Sequence, residues 1–166
     1  MEKSIKDRRS IRAFTSQQVD DGTIDTILDA GRWAPSGLNN QPWRFAVIID
    51  KNLKDELSGL TRYNAVIKSA YGVIAVFLDT AACYDRTKDL QAIGACIENM
   101  LLAISELGLG GVWLGEILKS SAEVKRLTGA PDTYDFMAAI ALGYPEGEPV
   151  RAPGRKDLSE LVFFRK

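Results

Sequence analysis

One long helix is the strongest structural signal in this 166-residue sequence. From about Arg86 to Leu107, apolar residues fall three or four positions apart, at Leu90, Ile93, Ile97, Met100, Leu101 and Ile104. That spacing predicts a helix that turns one broad face to a hydrophobic core. Gly108 follows, and we expect it to end the helix in the left-handed conformation that glycine adopts easily.

Shorter apolar runs predict the other elements. Brief runs rich in β-branched or aromatic residues predict buried strands at 45–49, 73–78, 112–114 and 136–142. Helices are predicted, with Asp20 and Asp21 as caps for the first, at 23–33, 53–60, 63–70 and 119–127. The tail, LSELVFFRK, is strand-like. Because helices and strands mix without strict βαβ alternation, the pattern favours the α+β class. No linker or repeat divides the chain, so we expect residues 1–166 to form a single domain.

Charge, histidine and cysteine content narrow the possible functions. The 21 basic and 22 acidic residues nearly cancel, so no overall field favours nucleic acid or an anionic membrane. No long apolar span or charged-then-apolar leader is present, and we expect a cytoplasmic protein. Histidine is absent, and Cys83 and Cys96 lack zinc-site spacing. We therefore expect no metal site and no Ser-His or Cys-His catalysis; an enzyme would need an organic cofactor.

The glycine-rich stretch GLGGVWLG, Gly108 to Gly115, does not match a nucleotide-binding loop. A dinucleotide fingerprint has a strand before the glycines and a helix after them, whereas here the order is reversed. A helix cap and a turn explain Gly108. Gly115 lies beyond the strand, where a missing Cβ would let a flat ligand approach the backbone.

Basic residues form two clusters despite the balanced total. They are Lys6, Arg8, Arg9 and Arg12 in KDRRSIR, and Arg151, Arg155 and Lys156 in RAPGRK. Each alone is typical of a solvated surface. Since chain ends of a compact domain often lie close together, the two clusters and Ser10 also suit two walls of one phosphate pocket.

A polar loop, AGRWAPSGLNNQPWRF, joins the first predicted helix to the first strand. Pro35 and Pro42 restrict the backbone on both sides of its amide side chains. An amide presents a donor beside an acceptor, which complements the pyrimidine edge of a flavin. A phosphate clamp, an amide-rich loop and a close-approach glycine together predict an FMN site.

Several motifs together resemble the nitroreductase family of FMN-dependent oxidoreductases. They are, in chain order, RRSIRAF, APSGLNNQPWRF, IENMLLAISELGLGGVWLGEI, ALGYPEGEP and RKDLSELV. The resemblance implies a central, mainly antiparallel sheet flanked by helices, and a homodimer with FMN sites at the subunit interface. It also implies ping-pong transfer of electrons from NADH or NADPH to a nitroaromatic, quinone or similar acceptor. The C-terminal segment is then expected to add a strand to the partner subunit's sheet.

The resemblance also implies which residues of this chain form the FMN site. The chemistry is expected to take place on the flavin, without a catalytic side chain. Arg8 matches the phosphate-binding arginine, Ser10 a ribityl contact, and Arg12 the cation beside the flavin pyrimidine. Gly115 and Glu116 match the turn whose backbone N–H reaches flavin N5. The other matches are Arg9, Asn64, Trp113, Leu114, Arg155, Lys156 and the partner-facing loop residues Pro35, Ser36, Gly37 and Asn39. Gly37 stands where the family commonly has serine.

Two other functions use the same residues. A flavin-binding carrier or sensor without turnover would share every FMN contact, so the sequence does not separate it from an enzyme. A nucleic-acid binder would use the basic clusters, carry no chromophore and bind with strong salt dependence. The short connection between Leu78 and the long helix leaves little room for an extra lid, which predicts an open pocket and broad acceptor tolerance.

Overall fold

The computed structural model describes residues 2–147 and 154–166. Its centre is a sheet of four strands in the order β1-β2-β4-β3. The strands are β1 (Trp43–Ile48), β2 (Gly72–Asp79), β3 (Gly110–Leu114) and β4 (Tyr134–Gly143). Each neighbouring pair is antiparallel, which confirms the predicted sheet. β1 and β3 form its two edges.

Helices precede, connect and follow these strands along the chain. They are α1 (Glu2–Asp7), α2 (Asp21–Arg32), α3 (Lys51–Ser58), α4 (Asn64–Ser69), α5 (Arg86–Glu106), α6 (Ser121–Thr128) and α7 (Leu158–Leu161). Asp20 caps α2 by accepting from the Thr23 N–H at 2.9 Å. Gly108 has φ +75°, the left-handed conformation expected after α5. The α+β class is therefore confirmed.

Two apolar layers hold the helices to the sheet. On one face, α2 and α5 pack against Ile74, Val76 and Leu78 of β2 and the matching residues of β4. On the other face, α3, α4 and α6 pack against the alternate residues of the same strands. β2 is buried along its whole length because it is covered on both sides. The α5 spacing predicted this core, except that Leu90 remains 40% exposed.

The tail differs from its predicted conformation. Residues Leu158–Leu161 form the short helix α7 rather than a strand. Glu160 accepts a hydrogen bond from the Asp157 backbone N–H at 3.1 Å, so the sequence DLSE starts a helix by a capping interaction. The strand prediction is wrong here because this capping interaction favours a helix over the strand that the apolar residues of the tail suggest. Leu158, Leu161, Phe163 and Phe164 are all exposed.

No helix within residues 2–147 and 154–166 combines the length and the apolar character that a membrane-spanning helix needs.

Candidate cofactor site

The arginine-rich segment lies against the outer edge of the sheet. Ser10 forms a parallel bridge with Gly111 of β3, and the Ile11 N–H donates to the Gly111 carbonyl at 3.1 Å. A Cβ at Gly110 would lie 2.7 Å from the Ile11 Cβ, so glycine permits this close approach. The start of β3 thereby fixes the position of the arginines.

The three arginines have different surroundings. The Arg9 guanidinium donates to the carbonyls of Lys6 and Arg8 at 2.6 and 2.8 Å, which closes the end of α1. Arg12 is exposed and reaches the Ser10 carbonyl at 3.3 Å. The Arg8 side chain is only 19% exposed and lies 3.7 Å from Glu98 of α5.

Arg8 carries an unsatisfied donor. In the described part of the chain its buried Nε has no hydrogen-bond partner. A buried N–H without a hydrogen-bond acceptor costs about 1–3 kcal/mol, which is offset in part here because this Nε lies 3.7 Å from Glu98 Oε1, within ion-pair distance. An anionic ligand or a second subunit that completed the surroundings of this guanidinium would remove that cost.

The turn after β3 leaves its backbone accessible. Nothing lies within 4 Å of the place where a Gly115 Cβ would be, and Gly115 has an ordinary negative φ of −93°. Glycine is therefore not required here by backbone conformation. Trp113 is partly exposed, whereas the Leu114 side chain is buried in the core and only its backbone can face a ligand. A flat molecule can approach this turn.

Glu116 ties the same turn to the loop before α4. Its carboxylate accepts from the Thr61 hydroxyl at 2.6 Å, from the Arg62 N–H at 3.2 Å and from Lys119 Nζ at 2.5 Å. Hydrogen bonds from Lys119 and then Thr61 lower the pKa of Glu116 from 4.5 to about 2. The carboxylate is thus ionised and engaged in the fold. Thr61 and Arg62, which it binds, directly precede Tyr63 and the exposed Asn64 that begins α4.

The polar loop before β1 has an unusual backbone. Leu38, Asn39 and Gln41 have φ values of 54°, 56° and 47°, in the left-handed region that non-glycine residues rarely occupy. Such a conformation persists only when its surroundings impose it. The Ser36 hydroxyl accepts from the Gln41 N–H at 3.1 Å, which closes the loop on itself.

Asn40 anchors this loop to α5. Its Nδ2 donates to the Asp89 carboxylate at 2.7 Å and to the Ala82 carbonyl at 3.0 Å. Asp89 is 0% exposed and also accepts from the N–H groups of Tyr84 and Asp85 at 3.0 and 3.2 Å. Burial raises the pKa of Asp89, but the hydrogen bonds, first that of Asn40, outweigh this and keep the pKa below its ordinary value.

The sequence did not predict the roles of Asn40 and Asp89. One signal was present: Asp89 lies four residues before Ile93, in line with the core-facing stripe of α5. A carboxylate on an apolar stripe is expected to be hydrogen-bonded in the interior. Its partner, 49 positions away, could be found only from the folded chain.

The structure places the predicted residues in two groups. Arg8, Arg9, Ser10, Arg12, Asn64 and the Trp113–Glu116 turn lie at or beside the β3 edge. Pro35, Ser36, Gly37 and Asn39 lie in the loop that enters β1, the other edge strand, at the opposite end of the sheet from the Ser10–Gly111 bridge. Three strand spacings separate the edges, roughly 14 Å. Arg155 and Lys156 are exposed and form no hydrogen bond or ion pair within the described residues. Arg151 is not among the residues that the structure describes.

The β3 edge suits an elongated ligand that is anionic at one end and flat at the other. The backbone of the arginine segment is held at Gly111 through Ser10 and Ile11, and the open turn at Gly115 lies four strand residues further along β3, roughly 13 Å. FMN has these two ends. The unsatisfied Arg8 Nε and the open space at Gly115 both fit it.

Known proteins share this sequence and fold. An Archaeoglobus fulgidus protein provisionally named an NADH dehydrogenase/NAD(P)H nitroreductase is 34% identical over 149 residues, which cover 88% of this chain and 86% of that one. A crystal structure from Desulfovibrio desulfuricans, provisionally named a nitroreductase and complexed with FMN, has a TM-score of 0.91. Its identity is 43%, over 99% of this chain and 96% of that one.

A third likeness is to the NADPH:FMN oxidoreductase of Vibrio harveyi complexed with NAD⁺. It has a TM-score of 0.89 and 25% identity, and the match covers 99% of this chain and 76% of that one. The model of the nitroreductase family matches residues 5–68 and 60–144. With these matches and the confirmed sheet, the chain belongs to the nitroreductase family.

Proposed function

We propose that this chain is an FMN-dependent oxidoreductase. It takes a hydride from NADH or NADPH and reduces a nitroaromatic, quinone or similar small acceptor by a ping-pong mechanism, with residues 1–166 as one FMN-binding domain. The observation that carries this function is the β3 edge, where an incompletely satisfied Arg8 and an open glycine turn lie one strand length apart. The FMN complex of the Desulfovibrio relative and the NAD⁺ complex of the Vibrio relative support both cofactors.

Each predicted contact has a chemical reason. Arg8 and Ser10 would bind the phosphate and the ribityl chain, with Arg9 adjoining. Bound FMN supplies the two-electron chemistry. The positive charge of Arg12 favours the negative charge that reduction places on the pyrimidine side of the ring. A backbone N–H of the Gly115–Glu116 turn would orient the ring at N5, and no side chain needs to act as an acid, base or nucleophile.

A second copy of the chain would complete the site. Pro35, Ser36, Gly37 and Asn39 of the partner subunit are proposed to approach the flavin held at the β3 edge. The roughly 14 Å between the two edges in one chain supports this arrangement. So does the exposure of Trp33 and Leu38 beside the loop, since large apolar side chains grouped on a surface are typical of an interface.

The tail is proposed to cross to the partner subunit as well. The exposed side chains of Leu158, Leu161, Phe163 and Phe164 would each contribute about 1.5–3 kcal/mol if fully buried there. Arg155 and Lys156 at its root would then meet the FMN phosphate only in the dimer. Deleting residues 157–166 is expected to give monomer or aggregate in light scattering, with loss of bound FMN. A truncated protein that remains dimeric and yellow would contradict this placement.

Anaerobic mixing with a nicotinamide nucleotide tests the enzyme function. We expect the purified cytoplasmic protein to show the visible absorbance of oxidised FMN. NADH or NADPH should bleach it rapidly, and a subsequent pulse of a quinone or a nitroaromatic should restore it. A carrier or sensor would hold FMN but bleach slowly or not at all, and a nucleic-acid binder would lack the chromophore.

A further inference from the structure

A cleft of about 260 Å³ lies between the Pro35–Gly37 part of the polar loop and the first turns of α5. Besides those loop residues it is lined by Tyr84, Lys88, Gln91, Ala92 and Ala95. The resemblance assigns no role to the α5 residues or to Tyr84. The loop residues are those proposed to approach the partner's flavin, so this cleft would open beside that ring.

Tyr84 lies directly against the loop. A Cβ at Gly37 would be 1.8 Å from the Tyr84 hydroxyl, so the tyrosine fills the place where the family's common serine would project. The Tyr84 N–H is bonded to Asp89, the carboxylate that also anchors Asn40 of the loop. The backbone of Tyr84 and the loop are therefore positioned by one buried group, while the tyrosine remains 42% exposed.

Lys88 gives the cleft its charge. Of the described residues lining the cleft, Lys88 alone is charged. Its Nζ lies 5.1 Å from the centre of the Tyr84 ring and 3.7 Å from Asp85 Oδ2, and its side chain is 59% exposed. The side chains of Ala92 and Ala95 are small and leave room beside the tyrosine. An aromatic wall with a cation at its rim suits a flat, negatively charged molecule.

We propose that this cleft recognises the electron acceptor, and that it favours small aromatic acceptors carrying a negative substituent. Tyr84 would contact the acceptor ring, and Lys88 would attract the charged group. The volume is near the lower end for small-molecule pockets, which favours an acceptor with a single ring. The inference rests on the proposed function, because the neighbouring flavin must deliver the electrons.

Paired acceptors test the role of Lys88. We would measure kcat/KM for 4-nitrobenzoate and for its uncharged analogue 4-nitrobenzamide, with NADPH in excess. In Lys88→Gln the ratio of the two values should fall about three- to fivefold, the effect expected of an exposed ion pair. Lys51→Gln is the control: it removes the same charge from α3, where Lys51 pairs with Asp55 and does not line the cleft. That control should keep the wild-type ratio.

Tyrosine variants test the aromatic wall. Tyr84→Leu should lower kcat/KM for both acceptors, whereas Tyr84→Phe should retain most of it. An unchanged ratio in Lys88→Gln, or a loss of FMN affinity in place of a changed ratio, would overturn the inference. If those variants still bind FMN and are bleached by NADPH, the proposed oxidoreductase function is retained although the proposed acceptor site is wrong. If the wild type is not bleached, both proposals fail.

Discussion

Replacing Asp89 by alanine is expected to destabilise the folded protein by about 3–5 kcal/mol and to weaken FMN binding. Asp89 is fully buried and accepts hydrogen bonds from Asn40 and from the N–H groups of Tyr84 and Asp85. Each donor left without an acceptor in the interior costs about 1–3 kcal/mol. Urea unfolding of the apoprotein at a fixed protomer concentration measures the first effect, and FMN titration measures the second.

Asp85→Ala is the matched control for folding. Asp85 caps α5 by accepting from the Lys88 N–H at 3.0 Å, and losing such a cap costs about 1 kcal/mol. Equal destabilisation by Asp85→Ala and Asp89→Ala would contradict the special role of Asp89. The pKa of Asp89 is lowered in the folded state. Its contribution should therefore be complete above the ordinary carboxyl pKa and be lost as the pH falls through the lowered value.

Asn40→Ala separates the loop from the rest of the fold. This change removes the contacts of Asn40 with Asp89 and Ala82 but leaves the backbone donors of Asp89 in place. It also removes the buried Asn40 Oδ1, which has no hydrogen-bond partner in the described part of the chain. A small change in stability with a clear loss of FMN affinity would show that Asn40 positions the loop for the ligand.

Arg8→Ala is expected to weaken FMN binding by about 2–4 kcal/mol, the range for removing one partner of a buried charge pair. Riboflavin lacks the phosphate, so its affinity should change little. Titration of both ligands into the apoproteins gives the comparison. Lys51→Ala removes one positive charge from a surface pair with Asp55 on α3 and should leave both affinities unchanged. Equal losses for FMN and riboflavin in Arg8→Ala would contradict the assignment of Arg8 to the phosphate.

Local signals in the sequence predicted most of the fold. The spacing in α5 and the glycine after it gave the central helix and its end, because both depend on residues close together in the chain. The tail shows where this reasoning failed. Its apolar residues suggested a strand, but Asp157 and Glu160 form a capping interaction that starts a helix.

The site was predicted less completely because it depends on contacts distant in sequence. The resemblance predicts Arg8, Gly115 and the polar loop as site residues, and these assignments stay predictions. It did not identify the bond between Asn40 and Asp89, or the tyrosine that occupies the space beside Gly37. A single chain also shows the two groups of site residues at opposite sheet edges. The packing of two subunits decides if these two groups meet. The spacing of residues along the sequence does not encode that packing.

A mixed dimer tests the shared site most directly. Arg8→Ala and Asn40→Ala subunits, carrying different tags, would be co-expressed and the heterodimer purified. If each FMN lies between the Arg8 segment of one subunit and the loop of the other, one site in the heterodimer carries both defects and the other carries none. We expect half of the sites to regain wild-type FMN affinity and to be bleached by NADPH. A heterodimer whose sites are all as weak as those of the two variant homodimers would contradict the shared site.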